Sequence, residues 1–175
     1  CLAQLLGRGG RLAEAATELS AARAVASTHP TERGRRSIDM LLGMVALSRG
    51  DLIAAHDHIV AALKGRMSHG YHWGATEALT AMAVRCALGG EMTQAATLFG
   101  ASQAARSRLK RHRGVLGPMG QRHESAVRHI MGDAAFDEAY AAGAAMSLAE
   151  AVEYALKVEH PDLAHGFVRL SVDAD

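Results

Sequence analysis

The chain repeats itself every forty residues, and that register constrains its fold more than any other feature. Gly10-Arg11-Leu12-Ala13-Glu14-Ala15-Ala16, Gly50-Asp51-Leu52-Ile53-Ala54-Ala55-His56 and Gly90-Glu91-Met92-Thr93-Gln94-Ala95-Ala96 align at a spacing of forty. Leu19, Ile59 and Phe99 correspond further on, followed by Ala22, Ala62 and Ser102. Upstream, Leu2, Leu42 and Met82 correspond, then Leu6, Ala46 and Cys86. Leu, Ala and a larger apolar residue at two, five and nine positions after each glycine share one helical face. The glycine itself can adopt the left-handed backbone that ends one helix and turns into the next. Each unit is therefore expected to be an antiparallel helix pair whose apolar face only a neighbouring pair can cover.

Composition agrees with helix throughout. Ala, Leu and Arg are abundant and there are three prolines. Such residues cost little in a helix, and the alanines let helices approach closely. The register predicts helices over about 11–27, 32–48, 51–66, 71–88 and 91–112, the first pair lacking most of its leading helix. Pro30 breaks the chain after the first of these, and Gly65 to Gly70 is expected to be a connector. Gly114 to Gly120 contains three glycines and Pro118 and should stop or turn the repeats. Helices are then expected over about 121–131, 134–143 and 148–158. Ser147-Leu148-Ala149-Glu150 is a capping-box sequence, and Asp133 is placed to cap the middle helix. These signals define an all-α chain: helical repeats over 1–113, a C-terminal helical cap over 114–160 and a tail over 161–175.

Two resemblances follow from these residues. Leu42, Gly43, Gly50, Leu52, Ala55, Ile59 and Ala62 fall where the tetratricopeptide family places its Leu-Gly, Gly, aromatic, Ala, aromatic and Ala positions. The period of forty exceeds that family's thirty-four, and Leu, Ile or Ala replace its aromatics. The chain thus resembles an α-α superhelix of tetratricopeptide-like pairs with longer helices. Residues 95–101 (Ala-Ala-Thr-Leu-Phe-Gly-Ala), 134–143 and 147–152 are similar to the end of the helical-repeat region of large actinobacterial LuxR-type regulators and signal-transduction ATPases. The second resemblance covers residues 90–157 well and the earlier repeats loosely. It implies an NTPase module before the repeats, a LuxR-type helix-turn-helix after them, and a chain that is a piece of a longer protein.

The sequence carries few signals for chemistry. No Gly-x-x-x-x-Gly-Lys-[Ser/Thr] is present, and Arg8-Gly9-Gly10-Arg11 has no preceding strand, so it reads as a turn. His56 and His58 are two apart on a helix and diverge by about 200°. His69 and His72 flank a connector without an evident third ligand, and His123 and His129, six apart, are off-face on a helix. No metal site is expected, and no cofactor within this chain. Cys86 occupies an apolar repeat position and should be a buried small hydrophobe. No Gly-x-Ser-x-Gly elbow exists. The chain is not expected to be an enzyme, although a parent protein could carry an NTPase module.

Surfaces remain. The helix 91–112 carries Arg106, Arg108, Lys110, Arg111 and Arg113, of which Arg106, Lys110 and Arg113 form one stripe that could meet a polyanion. Leu98, Ala101, Ala105 and Leu109 hold its opposite, buried face, and no aromatics are interleaved, so a solvated face is the favoured reading. The leading helices of the repeats would line a concave groove with Met40, Met44, Glu77 and Thr80, while Tyr71 and Trp73 stand at its edge. Methionine adapts to varied partners and Trp often anchors interfaces, though packing between repeats explains the same residues. Residues 1–132 hold 17 of the 19 Lys and Arg but 9 of the 18 Asp and Glu, a net +8, leaving −7 for the rest. The two parts could attract each other.

Cys1 and Cys86 form no disulfide framework, and no apolar run is long enough to span a bilayer. A cytoplasmic protein without a membrane partner is expected. The leading expectation is a non-catalytic repeat region of a transcriptional regulator or signalling ATPase, binding a protein or small effector in the groove and contacting other domains of its parent. DNA would be met only through a separate domain, and homo-oligomerisation is compatible with the pattern. A stand-alone peptide-binding adaptor and a polyanion-binding module are the alternatives.

Overall fold

The computed structural model describes residues 12–28, 32–110 and 116–159. Among them the chain is all-α, with eight helices and no strand. They are α1 Leu12–Thr28, α2 Glu32–Arg49, α3 Leu52–Ser68, α4 His72–Gly89, α5 Met92–Arg108, α6 Gly117–Met131, α7 Asp133–Ala145 and α8 Leu148–Leu156.

The forty-residue register is physically real where both copies are described. Gly50 and Gly90 both have left-handed backbones, with φ of 74° and 85°. Each closes its helix with the same pair of bonds. Gly50 N–H donates to Leu47 and Asp51 N–H to Ala46, as Gly90 N–H donates to Ala87 and Glu91 N–H to Cys86. This is the glycine-ended closure that satisfies the last carbonyls of a helix. Gly70, with φ of 65°, ends α3 in the same manner. Ala15, Ala55 and Ala95 are each fully buried, as are Ile59 and, almost so, Leu19 and Phe99.

Consecutive helices joined by such short turns run antiparallel. α2 packs on α3, α3 on α4 and α4 on α5, and α2 also touches α4. The pair α2–α3 closes tightly at Gly43, where an added Cβ would stand 3.0 Å from Ile59 Cγ1. α4 is the central element and is almost wholly buried from Gly74 to Ala87. It is covered by α3, α5, α6 and α8. One apolar core runs from Met40 through Leu79, Met82 and Phe99 to Val127, Phe136 and Val152.

The C-terminal helices fold back onto α4 and α5. α7 crosses α5 so closely that backbone meets backbone at Gly100 and Gly143. Phe136 and Tyr140 stack beside this crossing with ring centroids 5.4 Å apart. α8 begins with the full capping box, Ser147 Oγ accepting from Glu150 N–H while Glu150 accepts from Ser147 N–H. The chain beyond α8 is tied down by Arg85, a fully buried guanidinium that pairs with Glu91 and donates to the Glu159 carbonyl at 3.3 Å.

Several local expectations are corrected. Gly65 lies inside α3, which continues to Ser68, so the connector is confined to residues 69–71. α5 stops at Arg108 rather than 112, and Leu109 is its C-cap, 37% exposed rather than buried. α6 starts at Gly117, because Pro118 in a first turn needs no N–H partner and presets helical φ. Asp133 does not cap α7: Gly132 holds the cap position and Asp133 instead pairs with Arg128 at 3.0 Å. Arg111, Arg113, the first eleven residues and the tail lie outside the described residues.

Candidate functional site

A cleft of about 1240 Å³ is walled by α4, α5, α6 and α7. Its geometry follows from how α6 returns. Leu116, just ahead of α6, donates its N–H to Glu77 Oε2 on α4 at 3.3 Å. One turn later, an added Cβ on Gly120 would stand 2.8 Å from the Thr80 methyl. Both contacts advance together along the two helices, so α6 runs in the same direction as α4 and antiparallel to α5. The small glycines at 117 and 120 keep that wall low, and the cleft opens above them.

Its lining has an unusual chemistry. Thr80, Gln103, Arg106, Ser107, Lys110, Gln121, Glu124, Ser125 and Tyr140 accompany the two glycines, and no aliphatic side chain is among them. Most small-molecule pockets are predominantly apolar with a few polar groups. This one is built for hydrogen bonds.

Arg106 sits at its floor, its side chain 12% exposed. It donates to Ser102 Oγ at 3.3 Å and lies 3.8 Å from Glu77 Oε1. Glu77 therefore does two things at once: it neutralises Arg106 and holds the chain at the start of α6. Glu124 faces the same space, and burial pushes its carboxyl above the ordinary range, although Arg106 and Arg128 oppose the shift. Burial likewise raises the Tyr140 phenol, with Glu124 adding to the effect. A second depression of about 350 Å³ adjoins the first and shares Glu124 and Ser125 with it.

The two residue sets read from the sequence are redistributed by the fold. Thr80 from the groove set and Arg106 and Lys110 from the cationic stripe all line this one cleft. Glu77 lies beneath it as the Arg106 partner. Met40 is buried in the apolar core and Met44 packs against it. Tyr71 and Trp73 are elsewhere, at the turn from α3 to α4. There the Tyr71 ring lies over Gly74, with Arg66 6.0 Å from its centroid.

The cationic run is also less free than its sequence suggests. Arg106 is engaged by Glu77, and Arg108 donates to the carbonyls of Ala144 and Met146 at 2.8 and 2.6 Å, closing the C-terminal end of α7. Its charge is also favourably placed there against the helix dipole.

What sequence reasoning missed is the opposite wall. Gln103, Ser107, Gln121, Glu124, Ser125 and Tyr140 carry no motif, and only the return of α6 and the crossing of α7 bring them together. Among the described residues, no group of three His, Cys, Asp or Glu side chains is placed to hold a metal ion. No described helix is long and apolar enough to cross a membrane.

The chain is 36% identical over 113 residues, 63% of its length, to a protein of Mycobacterium bovis and to proteins from two strains of Mycobacterium tuberculosis. All three are provisionally named HTH-type transcriptional regulators. The chain spans 13% of the length of each of these relatives. No protein-family profile matches it, and no solved structure does.

Proposed function

We propose that this chain is a non-catalytic helical-repeat region of a LuxR-type transcriptional regulator, with tetratricopeptide-like pairs and an effector site in the cleft between α4, α5, α6 and α7. The observation that carries the reading is the 36% identity to proteins named as HTH-type transcriptional regulators, each far longer than this chain. In this reading an NTPase module and a helix-turn-helix lie elsewhere in the parent, and DNA is met only through the latter. The polar cleft is where a small effector or a partner segment biases the repeats.

Bound effector would press on Arg106 and α6 together, because Glu77 links the two. A ligand preferring one setting of α6 shifts that equilibrium by its differential affinity and by no more. The side chains of Arg106 and Arg108 are already committed within the fold, which disfavours a polyanion-binding role for this helix.

The test is DNA binding by the 175-residue chain beside that of its full-length parent, at low salt. The reading expects the parent to bind and the chain not to. Salt-sensitive binding by the chain alone, weakened by replacing Arg106, Lys110 and Arg113 with Gln, would overturn it.

A further inference from the structure

The charges lining the cleft do not balance locally, and the imbalance has a direction. Arg106 is paired with Glu77 at 3.8 Å. Arg128, the other cation acting on Glu124, is bound to Asp133 and Asp137 at 3.0 and 2.7 Å. Among the described residues, that leaves two lining charges with no hydrogen bond or ion pair, the Lys110 ammonium and the Glu124 carboxylate.

They stand at opposite ends of the site. Because α5 and α6 are antiparallel, Lys110, just past the C-terminal end of α5, shares one end of the cleft with Gly117. Glu124 lies seven residues further along α6, about 10 Å at the rise of an α-helix. Between the two ends, both walls offer neutral hydrogen-bonding groups, Ser107 on α5 and Gln121 on α6, with Gln103 and Ser125 beside Glu124 at the far end.

We infer that the cleft takes a small zwitterion whose opposite charges are on the order of 10 Å apart, the chemistry of a short unblocked peptide. Its carboxylate meets Lys110 at the Gly117 end and its ammonium meets Glu124. Three extended residues span about 10 Å, which matches the separation. The amides and hydroxyls of the walls serve the backbone groups between the termini. An apolar ligand would cover those polar groups without pairing them, and a simple anion would face the half-buried Glu124 carboxylate. The raised carboxyl of Glu124 is consistent with a partly desolvated group that gains a cation on binding.

This inference rests on reading the cleft as an effector site, and calorimetric titration of the chain separates the two. The probes are trialanine, N-acetyl-trialanine, trialanine amide and 6-aminohexanoate, a zwitterion without peptide groups. Trialanine and 6-aminohexanoate should bind saturably, and blocking either end of trialanine should weaken it at least about 10-fold, the worth of one charged hydrogen bond. Lys110→Gln should remove discrimination against the amide, and Glu124→Gln should remove discrimination against the acetylated form. Both positions are at the cleft surface, so folding can be checked by circular dichroism. Equal binding of the blocked and free peptides would overturn the zwitterion while leaving an effector site. Absence of saturable binding by both zwitterions would overturn it too. Binding that neither substitution alters would show that the cleft is not the site, and would remove both readings.

Discussion

Gly100 on α5 lies directly against the carbonyl oxygen of Tyr140 on α7, with no room between them for a methyl group. Gly143 on α7 answers it by lying against the carbonyl of Thr97 on α5. The two helices thus touch through reciprocal glycines, and the crossing holds Tyr140 where it forms part of the cleft wall.

Alanine at either position must push the helices apart, since a helical carbonyl cannot swing aside. Overpacking of this kind costs about 1–3 kcal/mol. The better helix propensity of Ala returns up to about 1 kcal/mol of that. Gly100→Ala and Gly143→Ala should each lower stability by roughly 1–2 kcal/mol in urea denaturation. The double variant should cost less than the two together, because one separation of the helices relieves both clashes.

The repeat register makes a second prediction. Ile59 and Phe99 occupy equivalent positions and are both at most 1% exposed. Truncation to Ala should cost about 2–5 kcal/mol at Ile59 and about 3–5 at Phe99, measured by thermal or chemical unfolding. A loss under 1 kcal/mol at either position would mean that the two are not equivalent core sites.

These two predictions differ in how far the sequence leads to them. The register of glycine, Ala and a larger apolar residue is local and periodic, so Gly50, Gly90, Ala55, Ala95, Ile59 and Phe99 could be placed without coordinates. The capping box at Ser147 was legible for the same reason, being four residues long. The crossing of Gly100 with Tyr140 was not, because it joins a repeat helix to a C-terminal helix that lies outside the aligned repeats. The cleft was half legible. Thr80, Arg106 and Lys110 stood out by helical position, but Glu124 and Gln121 became wall residues only when α6 ran parallel to α4. The role of Arg108 was not legible because its carbonyl partners lie 36 and 38 residues away. Asp133 failed as a cap because Gly132 took the position and Arg128 took the carboxylate.

Two carboxylates should give opposite dependences on pH. Glu150 is held below its ordinary range by hydrogen bonds from the Ser147 backbone and side chain. Its folded value lies under its unfolded one, so its contribution is present above the unfolded pKa and is lost as pH falls through the folded one. Glu124 is displaced upward by burial. Its protonated form is favoured in the folded chain, so relative stability is greatest below its unfolded pKa and declines as pH rises through the folded value. Glu124→Gln should therefore stabilise the chain at neutral pH and have little effect in acid. Glu150→Gln should destabilise at neutral pH and not in acid. Denaturation midpoints between pH 3 and pH 7 check both signs, and matching pH profiles for the two variants would contradict the account.

Cys86 is fully buried, and burial, reinforced by Glu91, pushes its thiol up to about 12. Since the thiolate is the reactive form, Cys86 should resist iodoacetamide at pH 8 in the folded chain and react promptly in denaturant. Peptide mass spectrometry distinguishes it from Cys1. Rapid labelling of Cys86 under native conditions would show that α4 is not enclosed by α3, α5 and α8.

The central proposal is that the cleft is the control surface of a longer regulator. The most direct measurement is the transcriptional output of the full-length protein carrying Lys110→Gln together with Glu124→Gln, across growth conditions that change the output of the unaltered protein. Unchanged protein level and DNA binding with an output that no longer responds is the predicted result. An output that follows the unaltered protein in every condition would contradict it.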